Sequence, residues 1–129
     1  MATGVRSAGY RVTRPLAELP YLSPHPLQVG ETLIYDVKLG ALSAGTQSIT
    51  VVEETTDWDE PLYRIESEAH TSALLSRIYH FRDHKVTHIR KRDLLPVRYE
   101  KQLEDRSYRG DFVVEFDRDA NAAEVWRNG

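Results

Sequence analysis

Alternation with a period of two is the feature that most restricts how this chain folds. Between residues 63 and 69, Tyr63, Ile65, Ser67 and Ala69 alternate with Arg64, Glu66 and Glu68. Between 108 and 116, Tyr108, Phe112, Val114 and Phe116 all share one parity. Successive side chains of an extended strand point to opposite faces, so runs of this kind offer one face to a core and the other to water. The same period groups Leu33, Tyr35, Val37 and Leu39 against Thr32, Asp36 and Lys38, with Ile34 as the exception, and it groups Ile49 with Val51 in a strand over 46–54. It resumes over 81–92, returns in Val97, Tyr99 and Leu103 with Lys101 breaking the apolar series, and closes with a short strand around 123–127.

The connections between these runs are short. Residues 40–45 carry the Gly and Ser of a turn, 55–61 form a polar acidic loop, and 93–96, 104–106 and 117–121 hold the Asp, Pro, Arg and Asn residues expected of turns. Only between Thr71 and Tyr79 does the pattern change: Leu74 with Ile78, and Leu75 with Tyr79, are spaced four apart, and Thr71 or Ser72 stands where a helix cap belongs. One short helix near 72–78 is predicted there. No crossover unit of the βαβ type is visible. The fold class is therefore all-β, an antiparallel meander of about seven strands. At roughly 20 to 25° of twist per strand so wide a sheet curls, giving a curled sheet or half-barrel whose concave side needs a cover.

Before this region, residues 1–28 are rich in Gly, Ser, Arg and Pro, with Pro15, Pro20, Pro24 and Pro26 opposing helix and central strand. A mobile Pro-rich segment over 1–28 and a single β domain over 29–129 are expected. The chain ends directly after its last strand, which leads to the expectation that the domain continues beyond it. With 40% hydrophobic and 29% charged residues and a net charge of -3, the composition is that of a globular domain without bulk attraction to nucleic acid or anionic lipid. There is no cysteine, which excludes thiol catalysis, thiolate zinc sites and disulfides. No stretch approaches a spanning segment, and Met1–Tyr10 lacks the apolar core of a signal peptide, so the protein is either cytoplasmic or shown here without its leader.

Particular residues also follow a known order. Pro26-Leu27, Gly30-Glu31, Leu33 and Tyr35-Asp36-Val37, then Ala44-Gly45, Ile78-Tyr79 with Arg82-Asp83, Leu95-Pro96 with Tyr99, and finally Phe116-Asp117, together resemble the bacterial domain of unknown function 3108. The resemblance covers Pro26 to Gly129 and corresponds to the N-terminal part of the family domain. It implies a cell-envelope protein, periplasmic or otherwise exported. It brings no agreed catalytic residues with it.

His80, His84 and His88 recur every four residues beside Asp83, a ligand spacing on a helix, but on a strand His80 and His84 stand about 13 Å apart, too far to share an ion. Solvent-facing strand histidines and no metal are expected. Arg82 and Asp83 are adjacent, so on a strand they face opposite ways and take separate partners. No serine lies in a nucleophile-elbow pattern. Residues 82–92 hold five basic side chains against one acid, and 53–68 hold seven acids against one arginine. Next to Tyr79 and Phe81 the basic run suggests a stacking platform for single-stranded nucleic acid, but salt-bridged pairing of the two runs within the sheet is the simpler account.

These readings lead to no catalytic residue, no cofactor, no nucleic acid and no transmembrane segment. The aromatic and aliphatic stripes are core, or they line a site. The leading functional expectation is a non-enzymatic envelope binding or carrier module for a lipid or other apolar or amphipathic small molecule, with Leu33, Tyr35, Val37, Phe112 and Phe116 as its lining. The alternative is a structural or assembly module that pairs with a protein partner through its sheet edges. An enzyme site assembled from dispersed polar residues is a third class, for which no residue is nominated.

Overall fold

The computed structural model describes residues 27–56 and 59–128. Strands β1 (Thr32–Leu39), β2 (Leu42–Thr55), β3 (Leu62–Thr71), β4 (Phe81–Arg90), β5 (Pro96–Asp105), β6 (Arg109–Asp117) and β7 (Ala122–Asn128) form a single sheet in chain order. All six neighbouring pairs are antiparallel. The architecture is the all-β meander that the alternating pattern predicts. It is not closed into a barrel, because β1 and β7 each pair on one side alone. The Pro-rich segment expected over 1–28 lies, up to residue 26, outside the described residues.

Two local details differ from the sequence expectation. The first turn is only Gly40-Ala41, with Gly40 at φ +62°, so β2 begins at Leu42 rather than near residue 46. Gly45 belongs to the strand instead. Val37 pairs with Gly45 and Lys38 with Ser43, which leaves Ala44 unmatched in a β-bulge. A Cβ on Gly45 would fall within 3.0 Å of the His70 carbonyl oxygen, so glycine is required here by the close approach of β3.

The predicted helix is a 3-10 turn, Leu75–Arg77. The cap position itself is Leu74, but Ser72, one of the two cap candidates in the sequence, still supports the start of the turn: its Oγ accepts the Leu75 N–H at 3.2 Å. The turn does not extend because Leu74, Ile78 and Tyr79 are 61%, 71% and 48% exposed and bury no apolar stripe. Aspartates organise two of the hairpins. Asp105 Oδ1 accepts the N–H groups of Ser107 and Tyr108, each at 2.8 Å, and Asp117 Oδ1 accepts those of Asp119 and Ala120 at 3.0 and 2.9 Å.

The core sits where β2, β3 and β4 meet. Val51 faces Ile65 across one ladder and Tyr63 faces Ile89 across the next, and Leu27 packs against the group. Each such side chain contributes roughly 1.5–3 kcal/mol when fully buried. By contrast β1 and β7 are exposed along their whole lengths.

Candidate functional site

Directly opposed residues in an antiparallel sheet share a face, so the pairing register sorts the side chains into two surfaces. One surface is charged. It carries Arg64, Glu66, His84, Arg98, Glu100, Glu104, Arg109 and Glu115. Arg64 bonds Glu53 at 2.8 Å and also pairs with Glu66; Arg98 bonds Glu100 at 2.7 Å and pairs with Glu115; Arg109 reaches Glu104 at 2.6 Å. The hydrogen bond that Arg64 donates to Glu53 holds the Arg64 pKa above its ordinary value, and the bond that Arg98 donates to Glu100 does the same for Arg98. The Arg109 hydrogen bond and charge pull Glu104 below the usual carboxylate range.

Much of the charge polarisation in the sequence is absorbed within this structure. Lys91 bonds Glu54 at 3.0 Å and Arg92 lies 3.3 Å from Glu60, joining the basic run to the acidic one. His84 and His88 stand on the charged face opposite Glu68 and Arg64. Among the described residues no group of three His, Cys, Asp or Glu side chains is placed to hold a metal ion.

The other surface carries the apolar core residues interspersed with polar ones, in rows that run across the sheet. One row runs Leu33, Ile49, Ser67, Lys85, Lys101, Phe112, Arg127, and a neighbouring one runs Val51, Ile65, Thr87, Tyr99, Val114, Val125. All five residues expected to line a site are on this face by register: Leu33, Tyr35 and Val37 on β1, Phe112 and Phe116 on β6. The sheet does not gather them into one patch. Four strands separate the two groups, and at about 4.8 Å per strand their ends of the face lie roughly 24 Å apart along an uncurled sheet. At one end of the sheet an open groove of about 680 Å³ includes Phe116 with Val97, Arg90, Arg92 and Arg118.

Between these ends lies a polar island that the sequence did not reveal. Asp83, only 5% exposed, comes from β4 and faces Ala69 and Leu103 across the ladders. Its Oδ2 is 2.8 Å from Lys85 Nζ and 4.0 Å from Lys101 Nζ. Arg82, its neighbour in sequence, points to the charged face, as the alternation requires. Burial pushes the nearby Tyr99 hydroxyl pKa up; Lys85 opposes this shift and Asp83 adds to it. Lys101 as a break in an apolar stripe was the available signal. The meeting of residues 83, 85 and 101 depends on the β4–β5 register.

Residues 34–129 match the family described as Protein of unknown function (DUF3108). The chain belongs to this family. No curated protein and no solved structure matches it. Several of the DUF3108-like dipeptides have definite structural roles. Asp36 accepts the Ser43 hydroxyl at 2.9 Å beside the first hairpin, Gly45 admits the β3 backbone, and Asp117 closes the last turn. Leu95 donates its N–H to Asp93 at 3.0 Å just before Pro96 opens β5. Asp83 is the member of the set placed at the polar island of the DUF3108 sheet.

Proposed function

We propose that this DUF3108 chain is a non-enzymatic binding or carrier module of the bacterial cell envelope, periplasmic or otherwise exported, for an apolar or amphipathic ligand. The envelope location is carried by the family resemblance. The ligand reading is carried by the apolar face: Leu33, Tyr35 and Val37 are 48%, 48% and 47% exposed, although their register places them on the same side as the core. Contiguous apolar side chains left exposed are the kind of surface that binds ligands or partners.

Native mass spectrometry after exposure to a bacterial lipid extract tests this, with Phe112→Asp as the comparison. Phe112 lies between Lys101 and Arg127, so the new carboxylate has cationic neighbours and the variant is expected to fold, as circular dichroism checks. Lipid-mass adducts on the parent, lost in the folded variant, support the reading. A folded parent that stays bare overturns it.

A second reading draws on the edges, where Ile34 and Leu39 of β1 and Val125 of β7 are 72%, 64% and 64% exposed. Exposed edge strands pair with added strands. A Val125→Pro chain that loses capture of a protein partner while keeping its lipid adducts would favour an assembly module.

A further inference from the structure

The polar island specifies what kind of amphipathic ligand the apolar face suits, and this inference rests on the binding reading above. Lys85 and Lys101 are directly opposed on β4 and β5. Like charges in that relation are destabilising, and here one carboxylate serves both ammonium groups. The cluster is left with a surplus positive charge. The Lys85 and Lys101 side chains remain 30% and 28% exposed against 6% for Asp83, so the cations are reachable while their counter-ion is enclosed. Asp83 Oδ1 is buried and has no hydrogen-bond partner among the described residues. Buried polar atoms are almost always satisfied, so an unpaired one calls for a missing donor.

The surroundings of the island are also informative. The row of the two lysines continues to Phe112 and Arg127, and the Arg127 guanidinium lies 5.5 Å from the Phe112 ring and 5.8 Å from that of Tyr108. Toward the core end the face carries Tyr99, Val114 and Val125, then Ile89 and Phe116. From Lys85 to Ile89 is about 13 Å at the rise of a strand, a long apolar path starting at a cationic point. A face required only to pack would gain by replacing such an ion cluster with apolar side chains.

We propose that Lys85 and Lys101 bind the oxyanion head of a single-chain amphipath, a long-chain carboxylate, with its tail along Tyr99, Val114 and Phe116. Asp83 acts as the positioning residue, holding both ammonium groups toward the same point. Bound carboxylate brings the two lysines and Asp83 to charge balance, and a water carried with the head supplies the donor for Asp83 Oδ1.

Isothermal titration calorimetry with dodecanoate, methyl dodecanoate and acetate tests the assignment on the parent, Lys101→Met and Lys101→Arg. Dodecanoate is expected to bind the parent at least about tenfold more tightly than the ester and to weaken with added salt. Lys101→Met should lose about tenfold for dodecanoate and little for the ester, and Lys101→Arg should restore most of the loss. Equal binding of acid and ester, or an unchanged dodecanoate affinity in a folded Lys101→Met, overturns the headgroup assignment and leaves the binding function standing. Acetate binding as tightly as dodecanoate overturns the tail and leaves a small-anion site. No binding of either twelve-carbon probe overturns the inference, and if the lipid extract also leaves the parent bare the binding function falls with it.

Discussion

Replacing Gly45 with alanine adds one methyl group to the chain, yet the structure makes it a demanding change. The new Cβ would lie within 3.0 Å of the His70 carbonyl oxygen, 3.2 Å from that carbonyl carbon and 3.3 Å from Thr71 Cα. All three are backbone atoms. His70 is held between Thr46 on β2 and Arg82 on β4, so its retreat distorts two ladders at once. Overpacking of this kind costs roughly 1–3 kcal/mol, and a backbone obstacle belongs in the upper half of that range. A loss of about 2 kcal/mol in a domain of this size lowers Tm by roughly 8–16 °C and the urea midpoint by roughly 1–2 M. Gly110→Ala is the matched control, because its Cβ would meet the Tyr108 side chain, whose far end can swing aside, and a cost below about 1 kcal/mol is expected. Urea titration followed by circular dichroism measures both. Gly45→Ala within about 0.5 kcal/mol of the parent, or no worse than Gly110→Ala, would refute the reasoning from backbone contact.

Leu94 adopts φ +59° in the turn between β4 and β5, so Leu94→Gly should raise stability by up to about 1 kcal/mol; a lower urea midpoint would contradict the strain argument. Asp83→Asn removes the counter-ion of two opposed lysines and should cost roughly 1–3 kcal/mol at neutral pH, with a smaller cost when Lys101→Met is already present; equal costs in both backgrounds would show that the pair is not coupled. The Ser107 and Tyr108 N–H groups hold the Asp105 pKa below its ordinary 3.8, so its stabilisation is complete above that value and is lost as pH falls through the lower folded one. Asp105→Asn should therefore flatten the acid limb of the stability profile, and an unchanged limb would remove Asp105 from the account. Alkaline difference spectroscopy should find Tyr99 titrating above the ordinary tyrosine value, a late component that Tyr99→Phe should abolish.

The strands were legible because their signal is local. Tyr63, Ile65, Ser67 and Ala69 carry the alternation within one segment, and nothing distant is needed to read it. Turn placement was less accurate, since Gly40 and Gly45 look alike in sequence but one supplies a positive φ and the other a close backbone approach. The spacing of Leu74 with Ile78 was a correct sign of a helical turn, but it could not reveal that both side chains stay mostly exposed. The polar island was hidden for a different reason. Asp83 and Lys101 come together only through the register of two strands, which no single segment encodes.

Because each strand pairs only with its neighbours in sequence, the sheet behaves as a linear array of coupled hairpins. Its closing loops are short, which favours fast zippering from any internal hairpin. Resistance to opening should then be graded rather than uniform, highest for amides of β3 and β4 and falling outward along both arms. Such a sheet frays from its ends inward, and the fully exposed β1 and β7 are the segments most readily lent to another strand while the centre stays closed.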